Sequence, residues 1–129
     1  NGSMIKLYIK LFIILFVISN LNASERRGVY IWPITFYETG GIEKVFDVLI
    51  ENQITDIFLL VKGEAGFSLF PSDYTIKDHY EKLLKESDCS DEKEKIRKII
   101  NYFSDESLLE KIIENSHRHG MKMHACFII

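Results

Sequence analysis

The sequence predicts an α/β fold in which three parallel strands are joined by helical crossovers. Two observations lead to this prediction. Three short apolar runs have the length and composition of strands, and the segments between them carry apolar residues at helical spacing. The second run, residues 56–61, is apolar on both faces, which is typical of a parallel strand covered by helices.

The first strand–helix–strand unit follows the amino-terminal segment. Residues 28–32 are rich in β-branched and aromatic side chains, and Pro33 is expected to end this strand. A glycine pair then interrupts the chain, and residues 41–52 carry an apolar stripe at helical spacing. We expect a right-handed crossover from this helix to the strand at residues 56–61.

A longer connection leads to the third strand. Turn-forming residues fill the segment 62–75, and the apolar spacing then predicts three helices. These helices are expected at residues 76–86, 91–103 and 106–118. Ser90 is the predicted N-cap of the second helix, and Ser104 or Asp105 that of the third. Gly120 is placed to end the third helix in the left-handed conformation.

The last segment of the chain, residues 121–129, is predicted to be a buried strand. No turn or helix follows it, and a bare terminal strand leaves unpaired backbone groups at a sheet edge. We therefore expect the chain to be the amino-terminal part of a larger α/β protein. The alternative is a complete small α/β domain with three strands, such as an interaction module.

The amino-terminal segment has the pattern of a secretory signal peptide. A short basic start precedes the apolar run 11–18, and small residues follow it. We predict that residues 1–23 are the signal peptide, with cleavage after Ala23 or, as second choice, Ser19. The apolar run is shorter than the roughly 20 residues of a membrane-spanning helix, and an uncleaved anchor is the alternative. The predicted location is secreted or otherwise outside the cytoplasm, in the cell envelope.

The composition argues against several classes of partner. The chain has 16 Lys and Arg against 19 Asp and Glu, and removal of Lys6 and Lys10 with the leader changes the net charge from −3 to −5. Nucleic-acid binding is not expected, because its affinity comes largely from Lys and Arg neutralising phosphates. Cys89 and Cys126 form no zinc spacing, and they leave open whether a disulfide joins them. We predict no metal site, and no stable membrane insertion once the leader is cleaved.

Three segments together resemble a known family. They read RRGVYIW at residues 26–32, TDIFLLVKGEAG at 55–66 with LFPS at 69–72, and LLEKIIE at 108–114 followed by HGMKMHACF at 119–127. In this order they resemble the opening of the glycosyl-hydrolase-like family ten group of (β/α)8 barrels. The resemblance covers nearly everything after the leader except residues 76–103. Leu60 and Cys126 stand where the family commonly has Gln and Trp.

The resemblance implies that residues 25–129 are the amino-terminal part of a (β/α)8 TIM barrel, truncated after its third strand. The roughly 105 residues after the leader are too few for a whole barrel, which needs about 250. The resemblance also implies an exported glycoside hydrolase that acts on polysaccharide or glycoconjugate with two carboxyl groups and no organic cofactor. That carboxyl pair is expected beyond Ile129, so this part alone should be inactive. A non-catalytic carbohydrate-binding or cell-envelope protein on the same barrel is the alternative.

Two candidate carbohydrate-binding residues lie at the end of a strand and in the loop after a strand. Trp32 ends the first strand, where its ring could stack on a sugar and its indole N–H could donate; core packing is the alternative. Glu64 is the only acid just past a predicted strand end, in a glycine-bounded loop, and a solvated carboxylate is the alternative. We do not assign Glu64 as the catalytic acid or base.

The other two candidates lie on strands. Lys62 ends the second strand, where it could donate to sugar hydroxyls unless its charged head simply lies in water. The resemblance implies a basic residue at this position. His124 lies within the third strand, where it could bind substrate or orient a catalytic carboxylate, and a satisfied interior histidine is the alternative.

Overall fold

The structure, a computed structural model, describes residues 2–22 and 25–128. Over these residues the chain forms six helices and three strands. They are α1 (Gly2–Asn22), β1 (Gly28–Ile31), α2 (Pro33–Glu38), α3 (Ile42–Glu51), β2 (Asp56–Lys62), α4 (Ile76–Glu86), α5 (Ser90–Phe103), α6 (Leu108–Arg118) and β3 (Lys122–Phe127). The strands form one parallel sheet in the order β1–β2–β3, which confirms the predicted α/β fold.

The register of the sheet places three ring side chains side by side. Tyr30 of β1 pairs with Phe58 of β2, and Phe58 pairs with His124 of β3. The pairing of β2 with β3 shifts between Leu60 and Lys62, where β2 has one residue more than its partner. Up to Leu60, side chains two residues apart therefore lie on the same face of the sheet on all three strands.

One face of the sheet is covered by helices. Ile57, Leu59 and Val61 of β2 enter a core to which every helix from α2 to α6 contributes at least one buried side chain. Ile112 of α6 and Phe36 of α2 are among the most completely buried of these, at 0% and 1% exposure. Helical crossovers that all pack on the same face are what the strand order β1–β2–β3 produces when every crossover has the same hand.

The other face carries the alternate side chains and is called the open face below. Its members are Tyr30 and Trp32 from β1 and its end, Asp56, Phe58 and Leu60 from β2, and Lys122, His124 and Cys126 from β3. Tyr30 is 74% exposed and Trp32 is 51% exposed. Parallel sheets are usually covered on both faces, whereas the aromatic rings on this face are exposed.

A short helix, α2, follows β1 and was not predicted. Pro33 does end β1, as expected, but it is also the first residue of α2, with Trp32 at the N-cap. Proline suits this position because the first helical N–H needs no intrahelical partner. The predicted N-cap Ser90 is wrong by one residue, because α5 begins at Ser90 and Cys89 is its N-cap, without a side-chain capping bond.

The ends of α6 differ in how well they were predicted. The helix begins at Leu108, two residues later than predicted, and Ser107 is its N-cap, so neither Ser104 nor Asp105 takes that role. Asp105 instead accepts hydrogen bonds from the N–H of Ser107 at 3.0 Å and from its hydroxyl at 2.6 Å. Gly120 has φ of +69°, which confirms the predicted left-handed residue after the helix.

Helix α1 covers most of the predicted signal peptide. The described apolar side chains of its first half, from Met4 to Phe12, are each more than half exposed. Among the described residues, no helix has the length and apolar character needed to cross a membrane. The predicted cleavage site after Ala23 lies outside the described residues, as does Ile129 at the end of the predicted third strand.

Candidate functional site

The amino end of the open face carries a charged cluster centred on Asp56. Asp56 is the first residue of β2 and is only 4% exposed. Its Oδ1 accepts from Nη2 of Arg26 at 2.5 Å and from Nε2 of His124 at 2.9 Å. Its Oδ2 accepts from the hydroxyl of Thr55 at 2.7 Å and from Nε of Arg26 at 3.2 Å. The carboxylate therefore has four hydrogen-bond donors, which is about its full capacity.

These partners fix the charge of Asp56. The hydrogen bonds from Arg26, then from Thr55 and His124, hold the pKa of the Asp56 carboxyl well below its usual range. The same contact with Asp56 raises the pKa of the Arg26 guanidinium. Asp56 is thus an ionised, saturated carboxylate, and it has neither the proton of a general acid nor a free lone pair for a general base.

A row of rings crosses the open face next to this cluster. The rings of Tyr30 and Phe58 lie 5.0 Å apart at an angle of 32°. The rings of Phe58 and His124 lie 4.6 Å apart and nearly parallel, at 12°. This arrangement follows from the register, because the three residues face one another across neighbouring strands. The row presents apolar ring surface beside a polar histidine edge.

An open pocket of about 390 Å³ lies at the carboxyl end of the same face. Aromatic and aliphatic side chains line it: Tyr30, Ile31, Trp32, Phe58, Leu60, Cys126, Phe127 and Ile128. The lining has no charged side chain, and its polar groups are the Tyr30 hydroxyl, the Trp32 indole N–H and the Cys126 thiol. A pocket of this kind suits a ligand with an apolar face and a few hydroxyl groups.

A second pocket, of about 330 Å³, lies between the loop after β2 and the start of α6. Ser68 is buried in its wall and donates to the carbonyl of Phe70 at 2.7 Å. Two of its acids are already engaged: Asp78 closes a capping box with Thr75, and Asp105 accepts from Lys111 at 2.5 Å. Lys111 and Ser107 lower the pKa of Asp105 to about 2. These acids stabilise helix starts and offer little to a ligand.

The four predicted binding residues lie in two parts of the sheet. Trp32, Lys62 and Glu64 are at or just past the carboxyl ends of β1 and β2, which share one edge because the strands are parallel. Trp32 lines the pocket at that end, whereas Lys62 and Glu64 are exposed and their side chains bond no other described residue. His124 lies in the half of the open face nearer the amino ends, where it contacts Asp56 and Phe58.

The sequence analysis did not identify Asp56, Arg26 or Phe58 as site residues. A signal was present in the sequence, since Asp56 is the one acid within the three described strands and lies on the same face as Phe58. We expected that His124 could bind substrate or orient a catalytic carboxylate, and the structure shows its Nε2 hydrogen-bonded to the carboxylate of Asp56. Which residues face one another across strands follows from the register alone.

The described part of the chain does not indicate a metal centre. No group of three or more His, Cys, Asp or Glu side chains within residues 2–22 and 25–128 is arranged to hold a metal ion. The thiols of Cys89 and Cys126 are both free, the first exposed and the second half-buried. The described side chains of the open face are thus mainly aromatic and polar.

Comparisons of the chain with models of protein families, with curated proteins and with solved structures find no match in any of the three.

Proposed function

We propose that residues 25–129 are the amino-terminal part of an exported, glycoside-hydrolase-like (β/α)8 barrel, up to its third strand, and that the open face binds carbohydrate. The proposal is supported by the order of the strands and by the helices packed on one face. In a barrel of this kind the helices form the outer ring, and the opposite faces of the strands line the interior. The proposal is also supported by the resemblance to the barrel family, which is carried by residues 26–32, 55–66 and 119–127.

The observation that carries the carbohydrate proposal is the exposed aromatic surface of the open face. Trp32 and Tyr30 present rings to a pocket with an uncharged lining, at the strand ends where barrels of this kind bind substrate. The apolar faces of sugar rings pack against aromatic rings, and the indole N–H donates to hydroxyls. In this proposal Lys62 and Glu64 are rim residues, and the two catalytic carboxyl groups lie on later strands beyond Ile129.

Non-catalytic carbohydrate binding is the second candidate, and the state of Asp56 favours it for the described chain. Among the described residues of the open face, Asp56 is the only carboxylate, and its four donors occupy it. Glycoside hydrolysis needs two available carboxyl groups, about 5–10 Å apart, that flank the bond. Both candidates predict binding by this chain, and only the first predicts a hydrolase when later strands are added.

Carbohydrate binding is tested with the full chain and a panel of soluble glycans. We suggest β-glucan, xylan, mannan and chitin oligosaccharides, with binding measured by calorimetry and by retardation in affinity gels. Trp32→Ala is expected to weaken binding about tenfold or more, equivalent to about 1.4 kcal/mol. Val48→Ala, which changes a 49% exposed residue of α3, is the control and should bind as the wild type does. Failure of every glycan to bind, or equal binding by Trp32→Ala, would reject the proposal.

Export is tested separately, by expression of the full chain in a host with a secretory pathway. The proposal expects the protein outside the cytoplasm, with an amino terminus at Ser24 if cleavage follows Ala23. The exposed apolar side chains in the first half of α1 support this, because a signal sequence has to be accessible to the export machinery. A cytoplasmic protein that keeps Met4 would contradict export.

A further inference from the structure

The Asp56 carboxylate determines which nitrogen of His124 carries the proton. An ionised carboxylate can only accept hydrogen bonds. Since Nε2 of His124 lies 2.9 Å from Oδ1 of Asp56, Nε2 has to be the donor. A neutral imidazole protonated at Nε2 has its lone pair at Nδ1. The neutral ring of His124 therefore presents an acceptor at Nδ1.

This acceptor is unused by the described chain and accessible to a ligand. Among residues 2–22 and 25–128, the only hydrogen bond of the His124 side chain is the one through Nε2. The only buried side-chain nitrogen or oxygen without a partner in that part of the chain is the hydroxyl of Tyr102, so Nδ1 of His124 is not completely buried. The side chain as a whole is 39% exposed.

The orientation of the acceptor is fixed from two sides. The ring of His124 stacks on Phe58 at 4.6 Å, and Phe58 in turn packs against Tyr30. Asp56 is itself held by two bonds from Arg26 and one from Thr55. A binding group whose rotamer is set by packing and by a second layer of hydrogen bonds loses little entropy when a ligand arrives.

We infer that Nδ1 of His124 binds a hydroxyl group of a carbohydrate on the open face, and that Asp56 is the positioning residue that keeps this nitrogen an acceptor. This inference rests on the proposed function and names the atom that contacts the ligand. A hydroxyl supplies the proton that Nδ1 needs, whereas a carboxylate or phosphate group only accepts. The rings of Phe58 and Tyr30, adjacent to His124, offer apolar surface to the rest of the same sugar.

The tautomer is tested by nitrogen NMR on the full chain with labelled histidine, at about pH 8.5, where imidazoles are neutral. His124→Gln assigns the signals, since one set disappears. We expect a pyridine-type signal for Nδ1 and a pyrrole-type signal for Nε2. Asp56→Asn should mix the two tautomers, while the control Asp105→Asn, which removes a carboxylate bonded to Ser107 and Lys111 and not to His124, should preserve the wild-type spectrum. A proton on Nδ1 in the wild type, or an unchanged spectrum in Asp56→Asn, overturns the inference.

The ligand contact is tested with the oligosaccharide that binds best in the glycan panel. Its addition should move the Nδ1 signal upfield, and Asp56→Asn should weaken its binding about tenfold relative to Asp105→Asn. A glycan that binds without moving the Nδ1 signal overturns the inference and leaves the proposed function standing. If no glycan binds, the proposed function fails and the hydroxyl contact fails with it. If Asp56→Asn does not fold, the tautomer of His124 in the wild type and the movement of its Nδ1 signal on glycan addition still test the inference.

Discussion

Asp56 on β2 and His124 on β3, 68 positions apart in the sequence, are joined by a hydrogen bond of 2.9 Å between Oδ1 and Nε2. The two residues lie diagonally across a parallel pair, because Asp56 faces Lys122 and His124 faces Phe58. A buried carboxylate is costly unless it is paired, and Asp56 is paired on both sides, by Arg26 before β1 and by His124 on β3. The cluster thus connects β2 and β3 with the segment just before β1, at the amino end of the open face.

The lowered pKa of Asp56 predicts a specific loss of stability in acid. Its folded pKa lies below the unfolded value of about 3.9, so the ionised form stabilises the fold above that value. This stabilisation is lost as the pH falls from about 4 towards the folded pKa. Asp56→Asn should lower the urea midpoint near neutral pH and should show a smaller further loss at about pH 3.

Asp105→Asn is the matched control for this acid effect. The pKa of Asp105 is also lowered, to about 2, chiefly by its hydrogen bond from Lys111, so its contribution has the same sign. Both side chains of this pair are well exposed, at 39% for Asp105 and 51% for Lys111. Because solvent weakens exposed ion pairs, we expect a smaller change than for Asp56→Asn at both pH values. Equal changes for the two variants would show that burial of Asp56 adds nothing.

Gly28 leaves room for the central ring of the aromatic row. A Cβ atom at Gly28 would lie 2.8 Å from Cε2 of Phe58, so the ring would have to move. Gly28→Ala should therefore disturb the stacking of Phe58 on His124 and destabilise the fold by about 1 kcal/mol, the order of one aromatic pair. Urea unfolding gives the stability, and the near-ultraviolet circular dichroism reports the rings.

A double-mutant cycle separates the clash from other effects of Gly28→Ala. Phe58→Leu removes the atoms that the new Cβ would meet, so the cost of Gly28→Ala should be smaller in the Phe58→Leu background. If Gly28→Ala costs the same in both backgrounds, contact with the ring is not the cause. Any loss of stability that Gly28→Ala still causes in the Phe58→Leu background would come from strain in the backbone of β1.

The sheet was largely predictable because its strands carry strong local signals. Residues 57–61 are apolar without interruption and lack glycine and proline, and Gly120 ends α6 as the sequence indicated. Helix α2 was missed because Pro33 ends a strand and begins a helix with the same fixed φ angle. The N-cap of α5 was misplaced by one residue, and that of α6 was misplaced because Ser104, Asp105 and Ser107 lie close together along a polar stretch.

The charged cluster was less predictable because it depends on long-range register. Both faces of β2 are apolar after Asp56, so the alternation does not tell which face the helices cover. The proximity of Arg26, Asp56 and His124 follows only once β1, β2 and β3 pair in parallel with a defined register. Local composition fixes which residues form strands, whereas a charged cluster needs the alignment of strands that are far apart in the sequence.

Truncation of an aliphatic side chain in the core under the covered face should greatly lower the free energy of unfolding. Ile112 on α6 is fully buried among the side chains of the core. Ile112→Ala should destabilise the fold by about 2–5 kcal/mol, since it removes buried methyl groups and leaves a cavity. Ile50→Ala on α3, at a side chain that is 44% exposed, is the control and should cost much less. Similar urea midpoints for the two variants would contradict the packing described for α6.

Replacement of Gly120 should lower the stability of the fold by an amount that depends on how well the new residue adopts a positive φ angle. Its φ of +69° lies in the left-handed region, where a Cβ atom is disfavoured, although no other heavy atom lies within 4 Å of where that atom would be. Gly120→Ala should therefore cost about 1 kcal/mol through backbone strain without any clash. Gly120→Asn should cost less, because Asn tolerates this conformation better than Ala. Urea unfolding of both variants checks the order, and a larger loss for Asn than for Ala would mean that side-chain size, and not the φ angle, limits this turn between α6 and β3.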